Sequence, residues 1–63
     1  MKVREIIRLI EGDGWFLVVT RGDHRQSKHP RKTGRVTISG NLGRDMPPGT
    51  FNSVLKQAGL NGR

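Results

Sequence analysis

Two histidines, His24 and His29, are the side chains of this 63-residue sequence best suited to proton transfer near neutral pH. Both lie in a strongly basic segment, residues 21–35, in which six cations stand against Asp23 alone. These cations are Arg21, Arg25, Lys28, Arg31, Lys32 and Arg35. An imidazole among cations suits cleavage of an RNA phosphodiester, because the 2′-hydroxyl of RNA supplies the nucleophile and the cations neutralise charge on the phosphate. Spacing alone favours simpler roles for both residues, a polar turn residue for His24 and a strand end for His29.

The net charge of +7 is concentrated in the basic segment, because residues 1–20 sum to zero and residues 36–63 sum to +2. Such a cationic block predicts a polyanionic partner, namely RNA, DNA, an acidic protein or, as the weakest alternative, a membrane surface, although a solvated basic loop is the simpler explanation of the charge run by itself. The chain has no Cys, which excludes disulfides and thiolate-bound zinc. We expect one cytoplasmic domain over residues 1–63, with no metal, small-molecule cofactor or membrane contact.

Hydrophobic spacing predicts an N-terminal helix followed by a strand. Apolar residues at i, i+3, i+4 and i+7 predict a helix over residues 2–11, and the stripe consists of Val3, Ile6, Ile7 and Ile10. Gly12-Asp13-Gly14 ends this helix. Residues 15–20 are aromatic and β-branched, which predicts a strand, and we expect it to be central because both of its alternating faces are apolar.

Two further strands are expected in the basic segment and just after it. The turn Arg21-Gly22-Asp23 precedes residues 24–29, which have no apolar face of their own. They form a strand by pairing with residues 35–39, whose apolar and polar residues alternate, across a hairpin loop at 30–34.

The remaining sequence predicts a loop and a second helix. Residues 40–49 are rich in Gly and Pro, and Thr50 is expected to cap a helix over residues 51–58. Gly59 stands at the left-handed position that ends many helices. The order α-β-β-β-α favours an α+β fold with two layers, in which two helices pack on one face of a three-stranded antiparallel sheet.

Two segments resemble motifs of the HicA (YcfA-like) toxin family. Residues 20–30, Thr-Arg-Gly-Asp-His-Arg-Gln-Ser-Lys-His-Pro, resemble its Gly-[Ser/Gly/Asp]-His-Arg segment. Residues 48–60, Pro-Gly-Thr-Phe-Asn-Ser-Val-Leu-Lys-Gln-Ala-Gly-Leu, resemble its closing motif, which begins Pro-Gly-Thr and ends Ala-Gly-hydrophobic. The family's double-stranded-RNA-binding-domain-like fold has the element order predicted above, so the resemblance covers nearly the whole chain.

The resemblance implies a toxin of a type II toxin–antitoxin system, an mRNA-cleaving endoribonuclease held inactive by a HicB antitoxin. The family's catalytic His maps onto His24, which implies metal-independent acid or base catalysis. Two positions depart from the family pattern. Asn41 stands where close relatives often carry a second His, and Ser27 replaces a frequent aromatic, which predicts weaker packing beneath the second strand.

The combined expectation is that the basic segment draws mRNA onto the sheet and that His24 transfers a proton, while Arg25 or Lys28 neutralises charge on the phosphate. The backbone N–H groups of Gly49 and Thr50 could contact one phosphate, although an ordinary helix start explains these residues more simply. Two other functions stay open, a non-catalytic RNA-binding module of the same fold and a protein-binding adaptor for an acidic partner.

Overall fold

The first helix forms one side of the core. The computed structural model describes residues 1–61, and helix α1 covers Val3–Gly12. The apolar stripe faces inward as predicted, with three side chains fully buried, those of Val3, Ile6 and Ile10. The loop before the second helix caps the start of α1, because the backbone N–H of Val3 donates to the Arg44 carbonyl at 2.9 Å. This contact satisfies a donor that has no partner inside the helix.

The sheet contains three antiparallel strands in the order β1-β2-β3. They are β1 at Phe16–Arg21, β2 at His24–Lys28 and β3 at Val36–Ser39. The expectation that the first strand is central is wrong, since β1 lies at an edge and the polar strand β2 lies in the middle. The reason is the connectivity, because two successive hairpins place the second strand between the other two. Gly22 closes the first hairpin with φ 59°, a backbone conformation that favours glycine.

The two faces of the sheet are chemically different. Val36 and Ile38 of β3 are buried, and their register partners on β2 are Ser27 and Arg25, so these residues face the helices. The intervening residues of β2 point away from the helices; they are His24, Gln26 and Lys28. Ser27 is buried on the helix-facing side of the central strand, at the position for which the sequence predicted weaker packing.

The second helix, α2, spans Pro48–Ala58 and begins three residues before the predicted start. Thr50 is not its cap, as the sequence predicted; Pro47 occupies that position and Pro48 is the first helical residue. Proline suits this first position because its fixed φ is helical and its missing N–H has no partner there anyway. The predicted C-terminal cap is confirmed, because Gly59 has φ 71° and the next backbone N–H donates to the Leu55 carbonyl at 2.8 Å.

Both helices pack against β3, which gives the predicted two-layer α+β fold. The core lies between these layers and consists of Val3, Ile6, Ile10, Trp15, Val36, Ile38, Met46, Val54 and Ala58. Within residues 1–61, neither helix has the length and apolar character needed to cross a membrane.

Replacing Gly59 with Ala should destabilise the domain by about 1 kcal/mol, because a side chain in the left-handed conformation is strained. The measurement is the free energy of unfolding in urea. Gly12→Ala is the matched control at the end of α1, where an added Cβ meets nothing within 4 Å and φ is not positive. Equal stability of the native chain and the Gly59→Ala variant would contradict this account of the cap.

Candidate active site

The His24 side chain stands at the beginning of β2, on the sheet face away from the helices. It retains 65% of its accessible surface, and its Nε2 lies 3.5 Å from Oδ1 of the neighbouring Asp23. The short hairpin fixes the backbone at this point, because Arg21 and His24 are register partners on either side of the turn. The backbone that carries the imidazole is therefore fixed, while the ring remains open to a substrate.

A cleft of about 230 Å³ opens beside His24, where β2 begins and β3 ends. Arg44, from the loop before α2, and Thr50, from the first turn of α2, line its other side. Within residues 1–61, the backbone N–H groups of Gly49 and Thr50 make no backbone hydrogen bond, and the first turn of α2 carries no acidic residue. The imidazole of His24, the basic residue Arg44 and the positive end of a helix dipole thus line this space together with two carboxylates, those of Asp23 and Asp45.

Three of the expected RNA-binding cations lie on the same sheet face as His24 or beside it. Arg21 is the cross-strand neighbour of His24, and Lys28 follows it four residues along β2, about 13 Å away. Arg35 joins this face because its Nη1 donates to the Gln26 side-chain oxygen at 2.7 Å. Arg31 is exposed in the β2–β3 loop. Within residues 1–61, none of these four cations pairs with a carboxylate.

Arg25 points to the opposite face from His24. Its Nη1 donates to the Gly40 carbonyl at 2.9 Å and to the Asp23 carbonyl at 3.2 Å. These bonds tie the start of β2 to the end of β3, which are the two strand ends beside the cleft. Arg25 is therefore placed to hold the backbone around His24. The sequence suggested a different role for it, contact with the phosphate.

Lys32 is also occupied within the protein. Its Nζ donates to Asp13 Oδ2 at 2.6 Å and to the Ala58 carbonyl at 3.0 Å. The ammonium thus joins the end of α1 to the last turn of α2, where a cation interacts favourably with the helix dipole. This engagement removes Lys32 from the group of cations free to bind RNA.

The second imidazole, that of His29, is part of the same internal network. Its side chain is only 9% exposed, and its ring packs edge-on against Trp15 with the ring centroids 5.2 Å apart. Nδ1 accepts backbone N–H bonds from Arg31 and Lys32, so Nε2 carries the proton and donates to the Asp13 carbonyl at 2.7 Å. Both nitrogens are used, which leaves His29 no means of reaching a substrate.

Arg44 is a basic residue of the cleft that was not predicted from the sequence. It stands outside the basic segment, in a loop recognised only by its glycines and prolines. A local pattern could not have found it, because its proximity to His24 arises when this loop packs on the start of α1.

These features describe a small basic α+β domain with one exposed imidazole beside an anion-sized cleft. A family model described as "HicA toxin of bacterial toxin-antitoxin" matches residues 3–60, so the chain belongs to the HicA toxin family. Membership makes it a toxin of a toxin–antitoxin system, for which an antitoxin partner is implied. No curated protein sequence matches it significantly.

The Asp13–Lys32 contact should make stability depend on pH below about 4. The Lys32 ammonium, hydrogen-bonded to Asp13, lowers the pKa of that carboxyl from its ordinary value. Because the folded pKa lies below the unfolded value of about 3.9, the stabilisation is present above that pH and is lost as the pH falls through the folded pKa.

Urea unfolding of the native chain and Asp13→Asn measures this effect. The variant should be less stable at pH 7, and the difference should shrink at pH 3. Asp45→Asn is the control, because the Asp45 side chain is 76% exposed and 3.6 Å from Lys2 Nζ. The account is contradicted if the Asp13→Asn difference is the same at both pH values.

Proposed function

We propose that this toxin is a metal-independent endoribonuclease that cleaves mRNA and uses His24 as its proton-transferring side chain. The observation that carries the proposal is the contrast between the two imidazoles. The His29 ring is buried with both nitrogens engaged, whereas the His24 ring is exposed beside a cleft and a row of cations. Membership in a toxin family supports an activity directed at a cellular target.

RNA is expected to bind along the sheet face opposite the helices. The cations available there are Arg21, Lys28 and Arg35, and Arg31 extends the basic surface at the far end. Because a phosphate backbone binds to such a surface largely through charge, the contacts need not depend on RNA sequence. Arg25 and Lys32 are left out of this set, since both already donate to groups within the protein.

His24 would act on the ribose 2′-hydroxyl next to the bond that breaks. The neutral imidazole accepts the 2′-hydroxyl proton as the 2′-oxygen attacks phosphorus. The bond from phosphorus to the 5′-oxygen of the next nucleotide then breaks, and the imidazolium returns its proton to that oxygen. Products with a 2′,3′-cyclic phosphate and a 5′-hydroxyl balance every atom and proton of this step.

The charge that develops on the phosphate requires donors on the other side of the cleft. Arg44 lines that side, and the free N–H groups of Gly49 and Thr50 lie at the positive end of α2. Donors already in place where negative charge develops stabilise the transition state without reorganisation. We therefore assign this side of the cleft to the non-bridging phosphate oxygens.

His24→Ala should reduce single-turnover RNA cleavage in excess chelator by about 10²–10⁴-fold, the usual contribution of a positioned acid or base. The urea unfolding curve should change little because the ring is exposed. RNA affinity should change little because binding comes mainly from the cations of the sheet face. A native chain that binds RNA but leaves it intact is instead a non-catalytic RNA-binding module. A chain that does not bind RNA at all supports the adaptor for an acidic protein.

Lys28→Ala should weaken RNA binding uniformly across sequences and reduce the slope of log affinity against log salt by about 0.7, the value for one contact to a single-stranded phosphate. Lys56→Ala is the matched control, because Lys56 is exposed in the last turn of α2, away from the sheet face. Identical slopes for the two variants would show that RNA does not bind along this face.

A further inference from the structure

The edge strand β1 exposes a run of large apolar side chains. Phe16, Leu17 and Val18 are 50%, 52% and 40% exposed. Both helices pack against β3, at the opposite edge of the sheet, and β1 pairs only with β2. Natural edge strands are usually protected by charged residues, a bulge or a covering element, and the apolar run of β1 has a bulge but neither charged residues nor a cover. Such an edge presents unpaired backbone groups and apolar side chains together.

Cations stand at both ends of this apolar run. Arg21 ends β1, and Lys28 is the register partner of Phe16 at the other end. Neither Arg21 nor Lys28 has a carboxylate partner within residues 1–61. The surface that complements β1 is therefore an extended segment with apolar residues in the middle and acidic residues near its two ends.

A second copy of this chain fits the edge poorly. It carries the same net charge of +7, so two copies repel each other at ordinary ionic strength. The strand also has a bulge, because Val18 has no register partner between Leu17 and Val19. A bulge twists the edge and disfavours direct pairing with an identical bulged strand.

We propose that an extended acidic segment of the antitoxin adds to β1 as a fourth strand of the sheet. This inference deepens the proposed function, since it rests on the chain being the toxin of a pair, but it does not require RNA cleavage. Because Arg21 is the register partner of His24, the added strand lies about 10 Å from β2 at the end where the imidazole stands. An antitoxin anchored there is positioned to cover the site as well.

The test is an NMR titration of the full chain with the peptide Glu-Val-Thr-Val-Thr-Val-Glu. Amide shifts should concentrate in residues 16–21, and a peptide with Lys at both ends should bind at least about tenfold more weakly. The double variant Leu17→Thr/Val18→Thr places β-branched side chains, which suit a strand, at both positions and should bind the acidic peptide about tenfold more weakly than the native chain. Leu42→Thr, another exposed apolar position outside β1, is the matched control and should bind as the native chain does.

Two results would overturn the inference. One is a set of shifts spread over the loop 30–35 that the double variant does not alter, which means non-specific attraction to the basic segment. The other is a dimer of the native chain that the double variant abolishes, which means that a second copy occupies the edge. RNA cleavage by the double variant should equal that of the native chain. If the native chain does not cleave RNA, the nuclease proposal is contradicted, and the peptide titration still decides whether an antitoxin strand binds to β1.

Discussion

The half-buried ammonium of Lys32 connects the parts of this domain that the small core does not join. One Nζ donates to the Asp13 carboxylate and to the last carbonyl of α2, so it links α1, the β2–β3 loop and α2. The buried ring of His29 secures the same loop through the Asp13 carbonyl. The central strand β2 contributes no large apolar side chain to the core, so these polar contacts help to hold its end against the helices.

The cations of the basic segment consequently fall into two groups with different roles. Arg25 and Lys32 point inward and donate to carbonyls and a carboxylate, whereas Arg21 and Lys28 point outward on the face that carries His24. Strand alternation produces this division on β2, because adjacent residues lie on opposite faces. The net charge therefore overstates the number of cations available to RNA, since Arg25 and Lys32 already donate to groups within the protein. In the proposed function, the outward cations mark the sheet face that binds RNA, and the His24 imidazole marks the position at which the RNA is cleaved.

The elements and their order could be predicted because each helix buries one regularly spaced apolar stripe and glycines mark the turns. The position of β1 was misjudged because its apolar residues on both faces suggested a covered strand, although the two successive hairpins expected from the sequence already place β2 between β1 and β3. The start of α2 was misplaced because a side-chain cap at Thr50 was expected where two prolines already begin the helix. The role of Lys32 depends on Asp13, nineteen residues away, and no local pattern carries such a contact.

Two RNA oligonucleotides that differ only by a 2′-deoxy nucleotide at the cleaved position test the central claim most directly. The account predicts that the native chain, in excess chelator, cuts the unmodified linkage to a 2′,3′-cyclic phosphate and leaves the deoxy linkage intact. In that case the proton that His24 removes comes from the substrate's own hydroxyl. Equal cleavage of both oligonucleotides would contradict the account, because the nucleophile would then not be the 2′-hydroxyl.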